Sequence, residues 1–377
     1  MLQNKWMRSL TAVGLTGVVL LLTVIFLCLP KQQYSEKENR YLAGFPKWKW
    51  EEIWSGEYME DVTDYLSDHF PFRDYFMGLK TNAEILWGKQ EINDVYIAED
   101  DYLIEVYRTP ANTERIVGTL KSFYEKLDTE KINVNLMLVP TASYVHANQL
   151  PKYAPWLSQM ETAESIYEQT GIPSVDCSDR LLEQAGTEQL FYRTDRHWTT
   201  YGAYQGYLEY CRVKGITPVA LEALEKEVVT TDFYGTIYSK VNDYSHKGDT
   251  ITIYTNPADS LQVYYTDTEE IATSLYNREY LTKKDKYSMF LDNLHTLIEI
   301  TNENALSDEV LVLIKDSYAN SMVPYLTSHY AKIYVFDTRY YKQGPSKFIA
   351  EHPEVTDVLL LYNMNTIDTD TGIRGIY

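Results

Sequence analysis

Val310-Leu311-Val312-Leu313-Ile314 is an unbroken apolar run, and two more follow it, Ile333-Tyr334-Val335-Phe336 and Val358-Leu359-Leu360-Leu361-Tyr362. A strand with one wet face alternates apolar and polar residues, so a continuous run implies burial on both faces. Residues 321–328, between the first two runs, read as helix. Such an alternation restricts the chain to an α/β fold, a mostly parallel sheet with helices on both faces. Upstream, Val134-Asn135-Leu136-Met137-Leu138-Val139 adds a buried strand stopped by Pro140. Ile116, Leu120, Phe123 and Leu127 line one face of a helix that Asn112 or Thr113 is placed to cap. Further elements are expected at residues 161–170 (helix), at Ser174-Val175-Asp176 (a short strand) and after His197, where Thr199 or Thr200 caps a helix running through Cys211. The stretches Asp249-Thr250-Ile251-Thr252-Ile253-Tyr254 and Leu261-Gln262-Val263-Tyr264-Tyr265 read as an antiparallel hairpin.

In such a fold, Lys315-Asp316-Ser317-Tyr318-Ala319-Asn320 puts a serine just outside the carboxyl end of a parallel strand, where open α/β sheets bind ligands. The first backbone N–H groups of a following helix can stabilise an oxyanion there. The competing reading makes Ser317 a helix N-cap. A serine hydroxyl needs a base, and an imidazole base needs a carboxylate to fix its tautomer. Asp195 and His197 in Thr194-Asp195-Arg196-His197-Trp198-Thr199 supply both. In an extended segment, residues two apart point to the same side. By itself the triplet is equally a surface aspartate beside a helix-start histidine. Trp198 either packs under the imidazole or anchors the helix to the core. His69, His146, His246, His329 and His352 lie in stretches without a suitable partner. His295 is a further candidate for substrate binding, with a structural role at a strand start as the alternative.

The balance of 54 acidic to 34 basic residues argues against a nucleic-acid surface, which needs basic patches, and against adhesion to anionic headgroups. The 34 tyrosines suit sugar binding through their flat faces and hydroxyls, but also ordinary packing. Cys28, Cys177 and Cys211 form no disulfide framework, and the last two read as free buried thiols. No cysteine and histidine spacing suggests zinc, and no metal or cofactor is expected.

Residues 9–30 contain no charge and are long enough to span a bilayer as a helix. A cleaved signal peptide is the rival, but bulky Phe26-Leu27-Cys28-Leu29-Pro30 offers no small-x-small cleavage site, which favours an uncleaved anchor. Basic residues on both sides of the span leave orientation undecided, while the long acidic remainder suits an outside domain. The expected organisation is a cytoplasmic tip and transmembrane anchor (1–30), a membrane-proximal helical arm (31–100) and an α/β domain (101–377). Within the arm, Pro71 should break a helix at Asp68-His69-Phe70-Pro71-Phe72-Arg73.

Thr194-Asp195-Arg196-His197-Trp198-Thr199 resembles the Asp-His-His-Trp signature of the bacterial DHHW family, which is similar to the SGNH-like domains of alginate O-acetylation proteins. The resemblance extends in order through Ser35-Glu36-Lys37-Glu38-Asn39-Arg40 with Leu42-Ala43, the Asp68–Arg73 turn, Leu138-Val139-Pro140-Thr141, Tyr234-Gly235-Thr236-Ile237-Tyr238-Ser239 and Lys315-Asp316-Ser317-Tyr318-Ala319. It implies an SGNH-like (flavodoxin-like) sheet, with Asp195 and His197 as the Asp-x-His pair and Ser317 as nucleophile in a permuted order. Two departures stand out. Arg196 replaces the first histidine of the signature, where it is placed to alter a substrate contact. Asp292-Asn293-Leu294-His295 stands where a glycine-rich Gly-Gly-Asn-His is expected, so Asn293, Asn320, Asn363 or backbone N–H groups near Ser317 and Tyr318 would complete the oxyanion hole.

The resemblance implies a membrane-anchored, extracytoplasmic O-acetyltransferase or esterase acting on a cell-surface polysaccharide. Its partners would be the glycan, an acyl donor and a multi-span membrane O-acyltransferase. The alternatives are a deacetylating esterase and a catalytically silent glycan-binding or assembly protein.

Overall fold

The computed structural model describes residues 2–35, 40–243 and 245–376. The Glu36–Asn39 part of the resemblance lies outside the described residues. Two compact units are formed, one from Met1–Lys89 with Ser239–Tyr244, the other from Gln90–Tyr238 with Ser245–Tyr377.

In the first unit, a helix spans Leu2–Cys28, and its segment Ser9–Cys28, with mean hydropathy 2.5, is long and apolar enough to cross a membrane. Shorter helices follow at Trp50–Ser55, Glu57–Asp68 and Arg73–Leu86. The last two are separated at Pro71, where Phe72 takes a left-handed φ of 60°. Arg40 and Asp68 pair, the Ala43 N–H donates to Asp68 Oδ2 at 2.8 Å, and His69 Nε2 lies 2.9 Å from the Ala43 carbonyl. Two stretches that carried the resemblance separately in sequence therefore meet through one carboxylate.

The second unit is built on a seven-stranded sheet: β1 (Asn133–Val139), β2 (Leu261–Tyr265), β3 (Glu270–Ala272), β4 (Leu297–Asn302), β5 (Val310–Lys315), β6 (Lys332–Phe336) and β7 (Asp357–Asn363). The spatial order is β3-β2-β4-β6-β5-β7-β1. Strands β6, β5, β7 and β1 are mutually parallel, and β4, β2 and β3 extend them antiparallel. The pleat divides each parallel strand between two cores. On one face Leu311, Leu313, Leu359, Leu361 and Val139 pack with Ala203, Tyr207 and Tyr210 of the helix Thr200–Lys214. On the other, Val312, Ile314, Val358 and Leu360 pack with Ile116 and Leu120 of Thr113–Tyr124 and with Ala163 and Ile166 of Gln159–Thr170. Helices thus cover both faces of the parallel half, as the continuous apolar runs require.

Three local expectations need correction. The segments around residues 249–265 do not pair with each other: Asp249–Thr255 runs antiparallel to Glu225–Phe233, while Leu261–Tyr265 is β2, between β3 and β4. The reason lies in what each strand buries. Ile251 and Ile253 pack with Phe233, Tyr287 and Phe290, whereas Val263 and Tyr265 join Ile298 and Ile300 in the main core. Ser174-Val175-Asp176 forms only a single bridge, from Ser174 to Leu136. Asn112 occupies the expected N-cap position but its side chain makes no cap hydrogen bond; its backbone N–H and its Nδ2 instead donate to Asp368. Cys177 and Cys211 are buried free thiols.

Candidate active site

Asp195 and His197 lie in a bend, not in the extended segment expected, closed by an antiparallel bridge between Phe191 and Trp198. The turn brings the two side chains together by a different route. Asp195 Oδ1 accepts the backbone N–H of His197 at 3.0 Å and also bonds ring Nδ1 of the same residue. An aspartate bonding the N–H two residues on is the local preference of Asp in turns.

The other carboxylate oxygen, Oδ2, accepts the Thr236 N–H at 2.8 Å and the Thr236 hydroxyl at 3.0 Å. The chain can approach this closely only because residue 235 is glycine: a Cβ there would stand 2.2 Å from both Cβ and Oδ2 of Asp195. Tyr234-Gly235-Thr236 is therefore the far wall of the aspartate's pocket. Burial alone would push the Asp195 carboxyl up. The facing His197 and the N–H donors of Thr236 and His197 outweigh burial and hold it well below the usual carboxylate range. Asp249 fixes the start of the bend, accepting the N–H groups of Arg193 (2.9 Å) and Thr194 (2.8 Å) and the Thr194 hydroxyl (2.6 Å).

Ser317 opens a short 3-10 turn, Ser317–Ser321, directly after β5, and its Oγ lies 2.8 Å from His197 Nε2. It is not the cap of that turn. Asp316 caps, accepting the Tyr318 N–H on Oδ1 at 2.8 Å, and its Oδ2 accepts the N–H and Nδ2 of Asn363 at 2.7 and 2.6 Å. The serine hydroxyl is thereby left to the histidine. Burial pushes the Asp316 carboxyl up, against those hydrogen bonds and the charges of His197 and Arg196.

The bend and the serine turn are more than a hundred residues apart in sequence and are tied at four places. Beside the His197–Ser317 contact, Trp198 Nε1 donates to the Tyr318 carbonyl at 2.8 Å, the Tyr318 hydroxyl donates to the Arg196 carbonyl, and the Tyr325 hydroxyl donates to the Thr200 carbonyl at 2.9 Å. Trp198 is fully buried and serves as anchor. The ring lying flat on the imidazole belongs to Tyr287, at 3.8 Å between centroids and 8° between planes. The Tyr287 hydroxyl donates to the Ser317 carbonyl at 2.9 Å and lies 3.2 Å from Ser321 Oγ. Burial pushes this phenol well above its ordinary value, so it stays protonated. No motif singles out Tyr287 among 34 tyrosines; only its place in the fold does.

The remaining candidates fall into two groups. Tyr318, Asn320 and Arg196 lie next to Asp195, His197 and Ser317: Tyr318 and Asn320 are buried in the serine turn, and Arg196 separates Asp195 from His197. The Tyr318 N–H, expected as an oxyanion donor, is taken by Asp316, whereas the Ser317 N–H has no partner among the described residues. His295 is held by others, with Nδ1 2.7 Å from Asp267 and Nε2 3.2 Å from Asp292 while its ring packs on Tyr265. Both ring nitrogens are thus engaged within the fold. Asn293 accepts from Ser288 Oγ at 3.0 Å. Leu291, Asp292 and Asn293 all take left-handed φ angles, 57°, 54° and 72°. The backbone thus keeps the conformation that suits the expected glycines, although the residues differ. Among the described residues, no group of three or more His, Cys, Asp or Glu is arranged to hold a metal ion.

This architecture recurs in solved structures. A DHHW family protein from Eubacterium siraeum is 24% identical, with 76% of this chain and 95% of that one covered at a TM-score of 0.64. Bacillus cereus PatB1, solved with a sulfonyl adduct, is 16% identical, with 75% of this chain and 98% of that one covered at a TM-score of 0.62. No curated protein matches the sequence. The fold class is the SGNH-like α/β arrangement. The DHHW protein family model matches residues 125–336, more than half of the 377 residues, and spans both the Asp195–His197 bend and the Ser317 turn, so the chain belongs to the DHHW family.

Proposed function

We propose that this protein is a membrane-anchored, extracytoplasmic O-acetyltransferase or esterase acting on a cell-surface polysaccharide through Ser317, His197 and Asp195. The observation that carries the reading is the unbroken hydrogen-bond chain from Ser317 Oγ through the His197 ring to a fully desolvated Asp195 carboxylate. In this reading, His197 Nε2 takes the Ser317 proton as Oγ attacks the acyl carbonyl. The imidazolium, stabilised by Asp195, then protonates the leaving group as the tetrahedral intermediate collapses to an acyl-serine. A sugar hydroxyl, deprotonated by the same nitrogen, attacks the acyl carbon, and Ser317 recovers its proton as the new ester leaves. With water in place of the sugar, the same steps make an esterase. The free Ser317 N–H is the first donor available to the oxyanion.

Transfer to a glycan, and a multi-span membrane acyltransferase as donor partner, come from the resemblance to alginate O-acetylation proteins. The apolar Ser9–Cys28 helix supports the anchored placement. The test is covalent. Full-length protein in detergent should gain the phosphonyl group of a fluorophosphonate on Ser317, with loss of HF, and Ser317→Ala should lose both the label and turnover of an aryl acetate. Undiminished turnover in Ser317→Ala would sink the assignment.

A further inference from the structure

Arg196 sits between the two relay residues, and its side chain has no partner. Its Nε is buried and makes no hydrogen bond, and its guanidinium forms no ion pair among the described residues. Five other arginines are paired, Arg40 with Asp68, Arg108 with Asp94, Arg212 with Glu209, Arg278 with Glu227 and Arg339 with Asp337, while Arg115, far from the serine turn in sequence, shares an unbonded buried Nε. Scarcity of carboxylates does not leave Arg196 unpaired, since the chain has a formal net charge of −20.

The position of Arg196 is fixed from outside its own bend. The Tyr318 hydroxyl holds its carbonyl, so the backbone of Arg196 is tied to the residue next to Ser317, and its charge acts on Asp316 and Tyr318. Asp316 spends its hydrogen bonds on Tyr318 and Asn363 and forms no ion pair with Arg196 among the described residues. A half-buried cation without a counter-ion is costly unless a ligand supplies one. A guanidinium presents a planar fork that matches the paired oxygens of a carboxylate or a phosphate. The family signature has histidine at this position. Arginine makes the charge permanent.

Resting on the serine-relay reading above, we propose that Arg196 is a specificity-determining residue that binds an anionic group of the glycan, a carboxylate or a phosphate, beside the hydroxyl that carries the acyl group. The substrate class is thus an acidic polysaccharide, its charge one sugar or less from the ester.

The test uses full-length protein in detergent and three acetylated oligomers: oligogalacturonate, a glycerol-phosphate oligomer and a neutral cello-oligosaccharide. One charged series should be preferred, which identifies carboxylate or phosphate as the source. Arg196→Gln should lower the charged-over-neutral ratio of kcat/KM by about tenfold or more, and Arg196→Lys should restore part of it. An unchanged ratio, including an equal fall on all three esters, would overturn the proposal; the equal fall would assign Arg196 to the oxyanion instead. A second arm measures binding of unacetylated oligogalacturonate and glycerol-phosphate oligomer to Ser317→Ala. Adding Arg196→Gln should weaken one of them about tenfold, and no change in either would overturn the proposal. If Ser317→Ala turns over as well as the parent, the serine reading fails while the binding arm still decides Arg196.

Discussion

The His197 imidazole lies flat on the Tyr287 phenol, 3.8 Å between centroids and 8° between planes, while the same phenol's hydroxyl donates to the Ser317 carbonyl. One side chain thereby sets the tilt of the imidazole and the position of the Ser317 backbone. An aromatic face also favours the imidazolium that forms when His197 takes a proton. Tyr287→Leu removes both effects and should lower kcat/KM for an aryl acetate by about tenfold or more, with KM little altered. Tyr287→Phe keeps the ring and should recover most of the loss. Steady-state kinetics of the pair decide the matter, and equal losses in both would assign the effect to the hydroxyl alone.

Asp195→Asn keeps the shape of the carboxylate but places an amide where the His197 Nδ1 proton must be accepted. Turnover should fall by about 10³-fold or more, as expected when the base is held in the wrong tautomer. Thermal melting should shift far less than for Asp195→Ala, because Asn fills the same volume and, with its amide nitrogen toward His197, its carbonyl oxygen still accepts from Thr236. Activity within tenfold of the parent would show that Asp195 does not orient the base.

Gly235 and Gly118 make opposite predictions for the same substitution. A Cβ at 235 would stand 2.2 Å from Asp195, whereas one at 118, inside the helix Thr113–Tyr124, meets nothing within 4 Å. Gly118→Ala should stabilise by about 0.5–1 kcal/mol through the ordinary helix preference for alanine. Gly235→Ala should destabilise by about 1–3 kcal/mol, as overpacking does, and lower activity by displacing the carboxylate. Denaturant titration of both variants measures the contrast.

His146 is buried among Tyr102 and Phe191, and burial, aided by Arg193, pulls its imidazole down to about 4. Above pH about 6.5 the ring is neutral in folded and unfolded chains alike and contributes no pH dependence. As pH falls from there toward 4, the unfolded chain gains a proton that the folded one refuses, so stability is lost over that window. The loss levels off at about 3 kcal/mol below it. His146→Phe keeps an aromatic ring with nothing to protonate, so its melting temperature should fall less between pH 6.5 and 4 than that of the parent. Parallel melting curves in the two proteins would show that another group carries the acid sensitivity.

Much of this was legible in the chain. The apolar runs at residues 310–314, 333–336 and 358–362 became β5, β6 and β7, because a strand covered on both faces has no polar position to interrupt it. Ser317, His197 and Asp195 were legible because their residue types and the place of Ser317 after a strand constrain them locally, and the structure brings all three together. The hairpin expected around residues 249–265 failed for the complementary reason. Alternation says that a segment is a strand with one buried face, but it does not say which core that face meets. The same limit hid Tyr287, one tyrosine of many, and Asp316, which takes the capping role that the sequence allowed to Ser317.

Periodicity and residue type are local properties, so the sequence by itself determined the α/β class and the apolar N-terminal helix and singled out Asp195, His197 and Ser317, which the fold joins by hydrogen bonds. Tertiary structure decided what surrounds them: Tyr287 on the imidazole, Thr236 and Gly235 around Asp195, and the Arg196 Nε, buried and unbonded among the described residues. Those contacts join residues tens to more than a hundred positions apart, and only the packing of the folded chain brings such positions within hydrogen-bonding reach.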